Sequence, residues 1–87
     1  MILTGRRIIE RFARKHRDAT QWLAEWIRNA EAAQWRSIRD VRKLYPATDG
    51  AVKTAQGKFV TVFNVKGHEY RLIVDIIFAA GVVSVLD

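Results

Sequence analysis

The spacing of apolar residues changes at Gly50. Before it they recur at the three- and four-residue intervals of a helix face, and after it they alternate with polar residues as along a strand. A chain that changes period once has few folds open to it. Helices come first, strands follow, and the two sets pack as layers. The 87 residues hold one core and one domain, residues 1–87. The expected class is α+β, with an N-terminal helical hairpin and a short third helix packed on one face of an antiparallel sheet.

In the first half, Ile8, Ile9, Phe12, Ala13 and His16 share one face of a helix over Gly5 to Arg17, and Arg6, Arg7, Arg11, Arg14, Lys15 and Arg17 occupy the others. Asp18 is expected to cap a second helix, with Gln21 completing a capping box. Trp22, Leu23, Trp26, Ile27, Ala30 and Ala33 then form an aromatic stripe, which reads as core rather than as a platform for bases. Ser37 and Asp40 repeat the cap spacing before a third helix that carries Ile38, Val41 and Leu44 and stops at Tyr45-Pro46. No helix-turn-helix reading fits the tryptophan-rich helix, so direct DNA binding is not expected.

In the second half, Met1 to Leu3 being set aside as an edge strand, the strands are Ala51 to Thr54, Lys58 to Val65, His68 to Phe78 and Val82 to Leu86. A tight loop at Lys66-Gly67 would pair Val65 with His68, Asn64 with Glu69, Phe63 with Tyr70 and Val62 with Arg71, and a four-residue loop is expected to keep the same register. The face bearing Phe63, Val65, Leu72 and Val74 is nearly all apolar and belongs under the helices. The opposite face mixes Val60, Val62, Ile73 and Ile77 with Asn64, Lys66, Glu69, Arg71 and Asp75. Its valines and isoleucines call for a partial cover. Its Arg71 is either one rung of a Glu69–Arg71–Asp75 charge ladder or an arginine set to hold a phosphate.

The net charge of +6 lies entirely in the first half: Met1 to Tyr45 carries eleven Lys and Arg against five Asp and Glu, and the remainder four against four. Clustered arginine suits a polyanionic partner, and equally a solvated helix face. The absence of cysteine excludes disulfides and thiolate chemistry, and His16 and His68 are too far apart in sequence to suggest a metal set. No secretory leader is visible, and the longest apolar run, Ile76 to Leu86, is too short to cross a bilayer, so the expected location is cytoplasmic and away from membranes.

The segments LYPATDG and VTVFNVKGHEYRLIV, after a basic helical hairpin and a W-S-I-R-D-V stretch, resemble the HigB family of type II toxins in the RelE/ParE-like superfamily. The resemblance implies a metal-independent, cofactor-free endoribonuclease that cuts messenger RNA on the ribosome and is neutralised by a cognate antitoxin, with any DNA contact made through that antitoxin. In such chemistry the RNA's own 2′-hydroxyl attacks the adjacent phosphate, and the protein supplies positive charge, a base and an acid. Arg71, in the Y-R-L strand, is implied as the catalytic contact to the scissile phosphate. Asn64 is implied as a polar residue that orders the hairpin, and Lys66, Arg7, Arg11 and Arg14 are candidate RNA-binding residues.

HigB-like chains continue into a T-H-x-E-Y-D segment with candidate acid and base groups, whereas this sequence ends at VSVLD. His68, in GHEY, sits at a turn and is not expected to replace them. A second expectation is therefore a shortened, catalytically inactive toxin that binds RNA or antitoxin only. A gyrase-directed, ParE-like activity is the third, disfavoured by the VFNVKGHEYRL segment.

Overall fold

In the computed structural model, which describes residues 1–87, the change of period appears as three α-helices followed by four strands, with one short strand ahead of the helices. The elements are β1 (Ile2–Thr4), α1 (Arg6–Lys15), α2 (Thr20–Ala32), α3 (Ile38–Leu44), β2 (Asp49–Lys53), β3 (Phe59–Val65), β4 (Tyr70–Ile77) and β5 (Val82–Val85). Short 3-10 turns at Arg17–Ala19 and Phe78–Ala80 precede α2 and β5. The sheet has five strands in the order β1-β5-β4-β3-β2. All its pairings are antiparallel except β1 with β5, which are parallel and bring the two ends of the chain side by side. The fold is α+β, as the periodicity implies.

The apolar faces meet as expected. Phe63, Val65, Leu72, Val74, Val83 and Val85 of the sheet are buried against Ile9, Leu23, Trp26, Ile27, Ala30 and Val41 of the helices. Phe63 is the hub: Trp26 and Tyr45 stand edge-on to its ring at 5.3 and 5.4 Å, and Trp35 stacks on it at 6.4 Å. Trp26 is fully buried and Trp22 only half-buried against Tyr45, so the tryptophan stripe is core. The last turn of α2 holds no basic side chain. Instead the Met1 ammonium donates to the carbonyls of Ala33 at 2.6 Å and Glu31 at 3.3 Å, supplying the positive charge that a helix C-terminus favours.

Gly5 opens α1 at φ +80°, and a Cβ there would lie 2.7 Å from the Val85 carbonyl oxygen. Only glycine lets α1 start this close to β5. No helix is long and apolar enough to cross a membrane.

Three local expectations are corrected. Asp18 does not cap α2: a 3-10 turn leads into the helix, Ala19 stands at the cap position, and no side chain caps the amides. The Asp18 carboxylate is engaged elsewhere, as described below. Ser37 likewise makes no cap bond at α3, although Asp40 accepts from the Arg36 amide at 2.9 Å. The β3–β4 loop is four residues, Lys66 to Glu69, and pairs Val65 with Tyr70, Asn64 with Arg71 and Phe63 with Leu72. The two-residue shift from the tight-loop register keeps every side chain on its expected face and changes each cross-strand partner.

The outer face of the sheet is partly covered, as its composition requires: Val60 and Val62 are only 4% and 8% exposed and lie outside the main core cluster. Asp75 is ion-paired to Lys58 at 3.2 Å, so a Glu69–Arg71–Asp75 ladder does not form.

Candidate functional site

Arg71 lies on β4 opposite Asn64 of β3, two residues before Ile73. β5 pairs with β4 from Val74 to Ile77, and beyond it the main chains of Leu86 and Asp87 pair with Ile73 at 2.9 to 3.2 Å. In an antiparallel ladder the main-chain groups of alternate residues point to the same side. Ile73 directs its amide and carbonyl toward the β5 side, and Arg71, two residues earlier, does the same. Its side chain is exposed, and it makes neither a hydrogen bond nor an ion pair within the chain.

Over this point lies α1. Ile8, Ile9, Arg11, Phe12 and Lys15 of that helix, Leu23 of α2, Val65 of β3, Arg71 and Leu72 of β4, and Asp87 together enclose a hollow of about 190 Å³. Its floor is core: Ile9, Leu23, Val65 and Leu72 are each buried. Its charged lining residues, Arg11, Lys15, Arg71 and Asp87, are all exposed. Arg11 and Lys15 are four residues apart, so they stand one above the other on the same helix face.

Like charges at this spacing destabilise a helix by a few tenths of a kcal/mol. Lys15 and Arg14 recover part of that by lying in the last turn, where the helix dipole favours cations. Arg11, mid-helix, has no such compensation and no acid partner.

The other expected site residues are elsewhere. Arg7 does not border the hollow. Arg14 lines a shallow depression with Ala13, Arg17 and Thr20 beyond the end of α1. Lys66 adopts φ 52°, a conformation that costs a non-glycine residue about 1 kcal/mol, and directs its ammonium to Asp18 at 3.3 Å. Asn64 stands across the strands from Arg71, makes no side-chain hydrogen bond, and borders a second cleft with Trp22, Tyr45, Thr48 and His68. His68 lines that second cleft and does not border the hollow that Arg71 lines.

The main polar cluster near the hollow is one that spacing did not expose. The Tyr70 hydroxyl donates to both carboxylate oxygens of Asp18, at 2.9 and 3.0 Å, and Lys66 joins on the same carboxylate. The Tyr70 hydrogen bond, with Lys66 behind it, holds the Asp18 carboxyl below its usual range, and the same bond pushes the Tyr70 phenol up. His16 packs between Phe12 at 4.4 Å and Tyr70 at 5.0 Å, and Phe12 meets Tyr70 edge-on at 5.1 Å. These contacts fix the start of β4 against the α1–α2 turn, one residue before Arg71. Asp18 offered only a capping signal in sequence. Lys15 carried a usable one, its position four residues after Arg11.

What the arrangement can do is bind an anion: three unpaired cations meet at a partly apolar hollow, where an anion is less well screened than in open water. Residues 19–87 match a family model, HigB_toxin, described as the RelE-like toxic component of a toxin-antitoxin system. Arg71 lies within the match, and α1 with Arg7, Arg11 and Arg14 lies before it. No curated protein matches the chain.

Proposed function

The chain belongs to the HigB family of RelE-like toxins of toxin-antitoxin systems, and on that premise we propose that it is an RNA-directed toxin that cleaves messenger RNA at the Arg71 groove. Family membership implies a cognate antitoxin as partner. The observation that carries the RNA reading is the meeting of Arg71 with Arg11 and Lys15, drawn from elements far apart in the chain, with no acid paired to any of them.

In the proposed reaction the ribose 2′-hydroxyl gives its proton to water as its oxygen attacks the adjacent phosphorus, the bond to the 5′-oxygen of the next nucleotide breaks, that oxygen takes a proton from water, and the products are a 2′,3′-cyclic phosphate and a free 5′-hydroxyl. Two negative charges gather on the equatorial oxygens of the phosphorane. A guanidinium fork suits that geometry, and its stabilisation counts only where the charge grows in the transition state. Arg71 takes this role, and Arg11 and Lys15 hold flanking phosphates. Arg7 and Arg14 extend the positive surface along α1, and Lys66 reaches RNA only by leaving Asp18. The ribosome would present the messenger to this surface.

One observation favours a second reading, RNA or antitoxin binding without cleavage: no imidazole borders the hollow, so proton transfer from the 2′-hydroxyl lacks the commonest side-chain base. Induced expression in a bacterial host, with growth followed and messenger 5′ ends mapped, separates the two. Growth arrest with new 5′ ends that vanish in Arg71→Ala supports cleavage. Normal growth with folded protein and no new ends supports binding alone.

A further inference from the structure

Two donors of the β3–β4 hairpin converge on one carboxylate. The Lys66 ammonium stands 3.3 Å from Asp18, and the Tyr70 hydroxyl donates to both of its oxygens at 2.9 and 3.0 Å. An ammonium and a phenol aimed at two oxygens of one anion suit a phosphodiester as well as a carboxylate, since each presents a pair of charged acceptors. The side chains of Asp18 and Lys66 are 44% and 49% exposed, so one anion can replace the other without leaving a buried group unpaired. Lys66 also keeps φ 52°, and non-glycine residues held in that region gather at ligand clamps and switches. Arg71, which has no partner in the chain, follows Tyr70 directly, and Lys15, likewise unpaired, comes three residues before Asp18.

We infer that Asp18 is a built-in competitor of RNA: its carboxylate occupies an anion site made by Lys66 and Tyr70, and a phosphate of the strand held at Arg71 displaces it. The inference rests on the reading of RNA as substrate and adds to it a contact that must be vacated before it is used. Exchange conserves the hydrogen bonds. The phenol and the ammonium pass from carboxylate to phosphate, and the freed carboxylate, being exposed, is taken up by water. The flexible lysine stem lets the ammonium follow the strand. Asp18 then lies near a phosphate of like charge and opposes the strand it has admitted. Removing that charge should therefore favour RNA, although the same carboxylate ties the hairpin to the helices.

The test uses the whole chain and a fluorescein-labelled 2′-O-methyl RNA strand of about ten nucleotides, which the proposed reaction cannot cleave, at about 50 mM salt. Asp18→Asn removes the charge and keeps the size. It is expected to tighten binding about fivefold, the upper end of what an exposed ion pair withholds. In Asp18→Asn combined with Lys66→Ala that gain is expected to disappear, because the freed ammonium supplies it. Asp40→Asn, which removes an acid ion-paired to Lys43 on α3, is expected to bind as the unaltered chain does. Asp18→Ser serves if Asp18→Asn does not fold.

Unchanged or weaker binding by Asp18→Asn overturns the competitor and leaves Asp18 a tether alone. A gain that survives Lys66→Ala, or that Asp40→Asn reproduces, overturns it as an effect of net charge. A gain seen with the antitoxin and not with RNA also overturns it, and makes the site one for an acidic side chain of that partner. In each of these cases the RNA reading stands if the unaltered chain binds the strand and Arg71→Ala does not. If no protein of the set binds the strand, the RNA reading fails and the competitor fails with it.

Discussion

The Tyr70 phenol donates to the Asp18 carboxylate at 2.9 Å across 52 positions of sequence, tying the first residue of β4 to the turn between α1 and α2. Lys66 reaches the same carboxylate from the hairpin loop. The hairpin is thus held at both of its ends by one acid, and Arg71 follows directly on the residue so held. Where the loop settles and where the guanidinium emerges are coupled.

Tyr70→Phe and Asp18→Asn are each expected to loosen the Lys66 to Glu69 loop. The Asp18 carboxyl is lowered in the folded protein, so its contribution to stability is present above the ordinary aspartate range and is lost as pH falls through the lowered value. The Tyr70 phenol is raised, so its contribution is present below the ordinary tyrosine range and is lost as pH rises through the raised value. Urea midpoints of the unaltered and Asp18→Asn proteins should therefore differ most between the two ranges and begin to converge only as pH falls below about 4. Amide exchange should speed up locally at Lys66 to Tyr70, and a difference spread evenly over the sheet would count against the tether.

Arg71→Ala should leave stability unchanged, because the guanidinium has no partner within the chain, and should lower RNA cleavage by about 100- to 1,000-fold, the usual loss when one donor to a developing charge is removed. Arg71→Lys should recover only part of this, since an ammonium lacks the planar fork. Cleavage rates beside urea unfolding curves decide the point. A stability loss equal to the activity loss would assign Arg71 to the fold.

Arg11→Ala combined with Lys15→Ala should make the dependence of log affinity for single-stranded RNA on log salt shallower by about 1.4, at about 0.7 for each phosphate no longer neutralised. Arg7→Ala combined with Arg14→Ala should change the slope less, because neither residue borders the hollow. Salt titrations of the two double variants give the comparison directly, and equal slopes would spread the grip over the whole of α1.

Phe63→Ala should cost about 3–5 kcal/mol. The ring is 1% exposed and packed by three other aromatic side chains. Against a total stability of about 5–15 kcal/mol for a small domain, that is a large share of what holds the chain folded. Denaturant unfolding measures it, and a cost below about 1 kcal/mol would mean that the aromatic cluster repacks.

Much of this molecule was legible in local spacing. The three helices, the strand faces, the inward stripe of tryptophans and the cover over Val60 and Val62 all follow from which residues repeat at 3.6 and which at 2. Those periods come from backbone geometry within a few residues. Arg71 stood out by the same means, as a charge among apolar neighbours on a strand.

The loop register, the role of Asp18, the parallel seat of β1 and the group of cations at the hollow were set by contacts far apart in the chain. A two-residue slip in pairing satisfies the same alternation of faces, so the pattern of Phe63, Val65 and Leu72 does not choose between the registers. Asp18 is equally suited to a helix cap and to a phenol, and the fold brings Tyr70 to it. Lys15 shows its spacing to Arg11 in the sequence, but its place beside Arg71 exists only once α1 lies across the end of β4. Faces are local, because each residue points where its own backbone directs it. Partners are global, because they depend on how the layers close around Phe63.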